Sequence, residues 1–296
     1  MSLEISAEPT YALEDASSQE LEAAWKHCAA ITRRAAGNFY YAFLFLPPEK
    51  RRGIYALYAF LRAGDDATDD DHVDSRGILQ RLQHRLDLVF AGRYNDRLTL
   101  ALAYAHRQFQ FMRVHFEDMF LGLEMDLQPT IYHSFADLKL YCYRVASTVG
   151  LLCLRIFGVD TEDARKYAEN LGIAMQLTNI LRDIVEDYER GRIYLPVEDI
   201  ERFKLSREHL LSAEYHQQLV NLVRWEGSRA HEYYQLADSL MPLKHKRKLV
   251  ASKIMGIIYR TILKKIMVND RFDKRVELTR REKLTIARKV VQEFSS

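Results

Sequence analysis

The chain has 296 residues, 48% of them hydrophobic and 28% charged, ample for one large domain or two small ones. Its formal net charge of +2 is too balanced to indicate a nucleic-acid partner, and its three cysteines, with no CxxC, suggest neither a disulfide framework nor a zinc site. No uninterrupted apolar run approaches the roughly 18 residues of a membrane-spanning helix, and the acidic N-terminus lacks the basic start and apolar middle of a signal peptide. Only 12 glycines and 6 prolines occur, and residues 49–128 and 130–195 contain no proline, a pattern of long helices rather than short strands joined by tight turns. The expected fold class is all-α. Scattered Cys28, Cys142 and Cys153 fit a reducing compartment, so a cytoplasmic location is expected.

In chain order, residues 1–19 read as a loose leader and 20–296 as a single domain, because no linker or low-complexity tract divides it. A first helix is predicted from Ser18 to about Ala36, closed by Gly37 and Asn38. A second follows the Pro47–Pro48 start and runs through the acidic stretch "GDDATDDD" at Gly64–Asp71. Helical patterns fill 75–92 and 97–125. The next helix is predicted to begin at Ser134, a serine with Asp137 at its third following position. Another covers 161–188, with Gly191 ending it. Two or three more fill 206–240 and 245–268, and the basic tail from Arg271 is helical in pattern.

Five carboxylates within the seven residues 65–71 repel one another, and only solvation or a bound cation readily offsets that. A second polar cluster, "AMQLTNILRDIVEDYERGRIYLP", favours the cation. At about 100° per residue, Gln176, Asn179, Asp183 and Asp187 fall at about 0, −60, −20 and 20°, one narrow stripe between the apolar Leu177, Ile180, Leu181 and Ile184. A wet face would more usually carry Lys, Arg and Glu. In the first stretch Tyr58, Arg62, Asp65 and Asp69 fall at about 0, 40, −20 and 20°, with Asp66 and Asp70 off to the side and solvated. Each helix thus offers two carboxylates one turn apart, and facing pairs would suit a hard divalent cation such as Mg²⁺ with phosphate and water completing its shell. An EF-hand beginning at Asp69 fails, because Val73 and Asp74 stand where an acid and a glycine belong. No Glu-x-x-His pair, HExxH, P-loop, dinucleotide fingerprint or nucleophile elbow is present. What remains is a magnesium–diphosphate site in a helical cavity.

The segments "NFYYAFLFLP", "YALYAFLRAGDDATDD", "GLEMDL", "YCYRVASTVG", "GIAMQLTNILRDIVEDYERGRIYLP" and "IYRTILKKI" resemble the squalene and phytoene synthases, which join two prenyl diphosphates head to head. The likeness runs from about Asn38 to Lys289 and looks closest to the bacterial branch that makes presqualene diphosphate for hopanoids. It implies a single-domain helical bundle of the isoprenoid synthase type with a central substrate cavity. It also implies that Asp65 and Asp69 hold Mg²⁺ against one diphosphate, and that Asp183 and Asp187, joined by Asn179, do so at the second motif. Gln176 would shape the cavity or bind substrate, Arg62 would neutralise phosphate, and Tyr141 would be the catalytic-centre tyrosine, handling a proton or guiding released diphosphate. Tyr259 and Arg275 match diphosphate-contacting positions. Asn38 stands where relatives often have serine, and Tyr41, Phe43 and Tyr58 belong to the substrate-binding set, with core packing the alternative for the aromatic residues.

The activity so implied is condensation of two farnesyl diphosphates to presqualene diphosphate. Phytoene synthesis from geranylgeranyl diphosphate, or full squalene synthesis with NADPH, would use the same residues; NADPH is not the favoured cofactor. A non-catalytic helical partner protein should have lost some of the four motif carboxylates, and a one-substrate terpene cyclase would carry Ser or Thr at position 183. Arg182 would touch phosphate or pair with a carboxylate on the surface, and Tyr143 and Arg144 receive no role. The basic segments 244–248 and 271–283 would either lean on anionic lipid or be solvated helix faces. Monomer and homodimer both stay open.

Overall fold

Ser17 caps the first helix, α1 (Ser18–Ala35): its hydroxyl accepts from the Glu20 N–H at 3.2 Å while the Glu20 carboxylate accepts from the Ser17 N–H at 2.8 Å. The computed structural model describes residues 9–69, 74–127 and 130–295, with the backbone alone at 67–69 and 295. Nearly all of this is helical, as the composition requires. Two compact units emerge, Met1–Arg113 and Val114–Ser296.

In the first unit, α1 is followed by α2 (Gly37–Phe43), α3 (Pro48–Asp69), α4 (Ser75–Phe90) and α5 (Arg97–Phe109). Pro48 sits in the first turn of α3, where a missing N–H costs nothing, and Glu49 complements the helix N-terminus. Helices α1, α3 and α5 pack on one another through Ala24, Cys28, Ile54, Leu57, Phe60 and Leu102, all at most 1% exposed. Each fully buried large aliphatic or aromatic side chain contributes about 1.5–3 kcal/mol. A short strand β1 (Tyr11–Ala12) pairs antiparallel with β2 (Arg93–Tyr94), and a 3₁₀ turn at Leu13–Asp15 buries Leu13. Residues 9–17 are therefore tied down, not a loose leader. Gly37, at φ +42°, ends α1 as predicted, but Asn38 lies within α2. The continuous helix expected over 97–125 is broken at Gln110, whose left-handed φ of 55° stops α5. Neither glycine nor proline marks that break.

The second unit contains most of α6 (Arg113–Asp126), followed by α7 (Phe135–Cys142), a π-helical turn at Tyr143–Ser147, α8 (Thr148–Phe157), α9 (Glu162–Arg182), α10 (Ile184–Glu189), α11 (Val197–Arg202), α12 (His216–Leu240), α13 (Val250–Val268) and α14 (Arg280–Ser295). Ser134 caps α7 as predicted, through a capping box with Asp137. The run Phe135–Phe157 is long and apolar enough to span a membrane, but more than half of its most apolar stretch is buried within the protein. Both the π turn and α8 pack on α9, which also carries α12 and α13 and is the core of the unit. Gly172 of α9 meets the π turn so closely that a Cβ there would lie 2.6 Å from Ser147 Cα and 2.7 Å from Ser147 N. The helix expected over 161–188 ends at Asp183, whose φ of −104° and ψ of 12° kink the chain into α10. Helix α11 has no counterpart in the sequence reading, 206–215 holds only a 3₁₀ turn, and the tail becomes helical at Arg280.

Candidate active site

In the first unit, α3 presents Tyr58, Arg62 and Asp65 along one side. Arg62 pairs with Asp66, Nη2 to Oδ1 at 2.5 Å, so Asp66 is not merely solvated as the sequence suggested. Burial opposes the Arg62 charge, but the Asp66 hydrogen bond and the charges of Asp66 and Asp65 outweigh it and hold the guanidinium protonated. Asp65 is exposed. The backbone of Asp69 continues the helix, while its side chain, with residues 70–73, lies outside the described residues. Asp74 does not simply extend an acidic end: its carboxylate caps α4, accepting from the Gly77 N–H at 3.0 Å. Phe43 is 3% exposed, with its ring 6.3 Å from both Tyr55 and Tyr58, while Phe39 lies 6.2 Å from Tyr58. This aromatic cluster fastens α2 to α3, giving Phe43 the packing role. Asn38 and Tyr41 are half-buried, and Tyr41 meets Tyr40 edge-on at 6.0 Å.

In the second unit the C-terminal end of α9 brings several predicted residues together. Asn179 Nδ2 donates to Gln176 Oε1 at 3.2 Å, which leaves Asn179 Oδ1 buried with no hydrogen-bond partner. Arg182 is 10% exposed and donates Nε and Nη2 to the two carboxylate oxygens of Asp183 at 2.8 and 2.6 Å, so it is a buried ion pair rather than a surface one. Burial works against its charge; the Asp183 bonds and a hydrogen bond with Tyr259 overcome that. Arg275, from the segment before α14, donates Nε and Nη2 to the same carboxylate at 2.9 and 3.1 Å. Asp187 follows one turn on. Burial, then the charge of Asp183, push its carboxyl up to about 7 against the pull of Arg192, with Glu186 and Asp126 adding to the rise.

Tyr141 is 3% exposed and donates its hydroxyl to Asp126 Oδ2 at 2.9 Å, while Tyr194 donates to Asp126 Oδ1, also at 2.9 Å. The rings of Tyr132, Tyr141 and Tyr194 lie 5.1–6.0 Å apart, and the Tyr132 hydroxyl is buried without a partner. Burial, and then the Asp126 charge, drive the Tyr141 hydroxyl far above its ordinary pKa, so it is a neutral donor. Asp126 and Tyr194 were not picked out by residue-level reasoning. Their signals were present in "GLEMDL", an acid ending an apolar helix, and in "RGRIYLP". Tyr143 and Arg144 occupy the π turn, and the Arg144 guanidinium reaches Met125 Sδ at 3.4 Å.

An amide oxygen without a partner, beside a carboxylate whose neighbours raise its proton affinity, is a donor set that gains from a hard cation. Asn179, Asp183 and Asp187 therefore fit Mg²⁺. Among the described residues no three His, Cys, Asp or Glu side chains converge, so phosphate or water oxygens would complete the shell. Asp183 would share its remaining lone pairs or release the half-exposed Arg275.

A model of the squalene/phytoene synthase family matches residues 32–282. The chain is 39% identical to the 15-cis-phytoene synthase of Synechocystis sp. over 232 residues, 74% of this chain and 69% of that one. It is 36% identical to the phytoene synthase of Mycobacterium tuberculosis over 274 residues, 90% of each chain. It spans about two thirds of the length of the chloroplastic phytoene synthases of Oncidium and maize. A crystal structure of a dehydrosqualene synthase superposes with a TM-score of 0.80 at 31% identity, covering 94% of this chain and 98% of that one. The chain belongs to the squalene/phytoene synthase family and is a prenyltransferase of the head-to-head type.

Proposed function

We propose that this chain is a phytoene synthase, joining two geranylgeranyl diphosphates head to head. The observation that carries the reading is the identity to curated phytoene synthases, sustained over 90% of both chains in the mycobacterial case. It supports phytoene synthesis, the alternative in the sequence analysis, over the farnesyl substrate and hopanoid branch that the resemblance favoured. Loss of two diphosphates and two protons balances phytoene formation without a reductant, so NADPH has no part in it.

In this reading Asn179, Asp183 and Asp187, with Asp65 and Asp69 for the other diphosphate, would hold Mg²⁺, which would supply Lewis-acid stabilisation of the leaving group. Arg62, Arg182 and Arg275 supply fixed positive charge to the diphosphate as the carbon–oxygen bond breaks. The neutral Tyr141 hydroxyl, whose one proton goes to Asp126 in the free protein, would turn that proton from Asp126 to oxygen of the departing diphosphate and so keep it from recombining with the allylic cation. Proton loss then ends the sequence. The released diphosphate would accept that proton.

A second reading keeps the shorter substrate, because the dehydrosqualene synthase matches over almost the whole chain. Product analysis separates the two: purified protein with Mg²⁺ receives farnesyl or geranylgeranyl diphosphate, each with and without NADPH. Phytoene from the longer substrate, unchanged by NADPH, is the expected result. A thirty-carbon product formed only from farnesyl diphosphate would overturn it, and no turnover of either would remove the enzyme reading.

A further inference from the structure

The corner between α12 and α13 carries features that prenyl transfer does not use. Leu243 projects with 76% of its surface exposed, just beyond the end of α12. Immediately after Leu243 come Lys244, Lys246, Arg247 and Lys248, all within the 3₁₀ turn Leu243–Leu249. That turn is pinned rather than loose: Leu249 is fully buried, and Lys248 Nζ donates to the Gly158 carbonyl at 3.0 Å. Lys244 and Lys246 have no ion-pair partner among the described residues. The nearest preceding acid, Asp238, is already neutralised by Lys253 at 2.5 Å and Arg260 at 2.8 Å. Helix α14 packs on both α13 and this turn, and the Lys265–Glu282 pair sets it antiparallel to α13. Its far end, with exposed Arg288 and Lys289, therefore lies toward the corner and adds positive charge.

A protruding leucine gains nothing from water and much from an acyl boundary, while lysines around it match anionic headgroups. A turn already held in place loses little freedom on docking. We propose that this corner docks on an anionic lipid surface, inserting Leu243 and setting Lys244, Lys246 and Arg247 against the headgroups. The proposal is independent of which prenyl substrate the chain takes. A nucleic-acid strand would satisfy the charges but has no use for Leu243.

Flotation of the full chain with phosphatidylcholine vesicles, with and without phosphatidylglycerol, tests it at low and high salt. Binding should require phosphatidylglycerol and fall as salt rises. The double variant Lys244→Ala/Lys246→Ala should weaken binding about 25-fold, at about fivefold per charge. Leu243→Asp should weaken it by at least a comparable factor, whereas Arg76→Ala/Arg81→Ala, which removes two exposed charges from α4, should leave it unchanged. All of these positions lie outside the core, and circular dichroism checks that each variant is folded. No binding to phosphatidylglycerol vesicles overturns the proposal, as does an equal loss from the α4 variant. Full binding by Leu243→Asp, with duplex DNA competing, would make the corner a general polyanion surface and also overturn it.

Discussion

Asp126 accepts hydrogen bonds from two tyrosines while its charge contributes to the raised proton affinity of Asp187. A charged acceptor binds two buried hydroxyls more strongly than an amide can, each such bond being worth about 1.5–3 kcal/mol. Asp126→Asn is therefore expected to lower kcat by about tenfold or more with little change in KM, because Tyr141 loses its orientation rather than its presence. Tyr194→Phe preserves the Tyr141–Asp126 bond and should cost only a few-fold; steady-state kinetics on the preferred prenyl diphosphate distinguish the two. Equal effects would separate Asp126 from Tyr141. The aspartate motifs were legible because their members sit one helical turn apart. The Asp126–Tyr194 bond joins residues 68 positions apart, which no local pattern encodes.

Between elements, two contacts set how the second unit holds its site. Gly172 lets α9 approach the π turn that follows Tyr141, and any Cβ there would strike the backbone of Ser147 and Ala146. Gly172→Ala should destabilise the protein by about 1–3 kcal/mol, read as a lower denaturation midpoint, because backbone cannot move aside as a flexible side chain can. Helices α11 and α12 are tied by Asp199, Glu226 and Arg229: Arg229 Nη1 lies 2.8 Å from Asp199 Oδ2 and from both Glu226 oxygens, and Trp225 donates to Asp199 at 3.1 Å. One guanidinium serves two buried carboxylates, so burial and then the Asp199 charge push Glu226 up to about 8, with Arg229 opposing. The folded chain then holds a proton that the unfolded chain releases above about pH 4.5, so this group's contribution to stability falls as pH rises from about 4.5 to about 8. Glu226→Gln, neutral throughout, should flatten that part of the melting temperature against pH; an unchanged slope would place the proton elsewhere. None of this was visible in the helical periodicity, which assigned 161–188 and 97–125 to single helices and passed over α11. Gln110 and Asp183 break those helices without any glycine or proline, through conformations that packing imposes.

For the molecule as a whole, the proposed function requires the aspartate motifs to bind Mg²⁺ together with diphosphate. Mg²⁺ together with inorganic diphosphate should raise the melting temperature, by the equivalent of about 2.7 kcal/mol at a hundredfold excess over Kd, and a chelator should reverse it. The Asp65→Asn/Asp187→Asn double variant should show no such shift and no turnover. A full shift in that variant would mean that neither carboxylate holds the metal. The family was recognisable from the motifs alone, yet the substrate length was not: the proposal of the longer chain rests on relatives at 36–39% identity that are named phytoene synthases, and not on the motifs.

The sequence by itself determined the all-α class, the two polar stripes and the family, because helical period, proline spacing and motif order are properties of neighbouring residues. Only the tertiary structure decided that Arg182 is buried on Asp183, that Arg275 shares the same carboxylate, that Tyr141 and Tyr194 meet on Asp126, and that Asn179 keeps an unpartnered oxygen. Each of these depends on which groups lose their water and what faces them afterwards, and desolvation is settled by packing rather than by residue type.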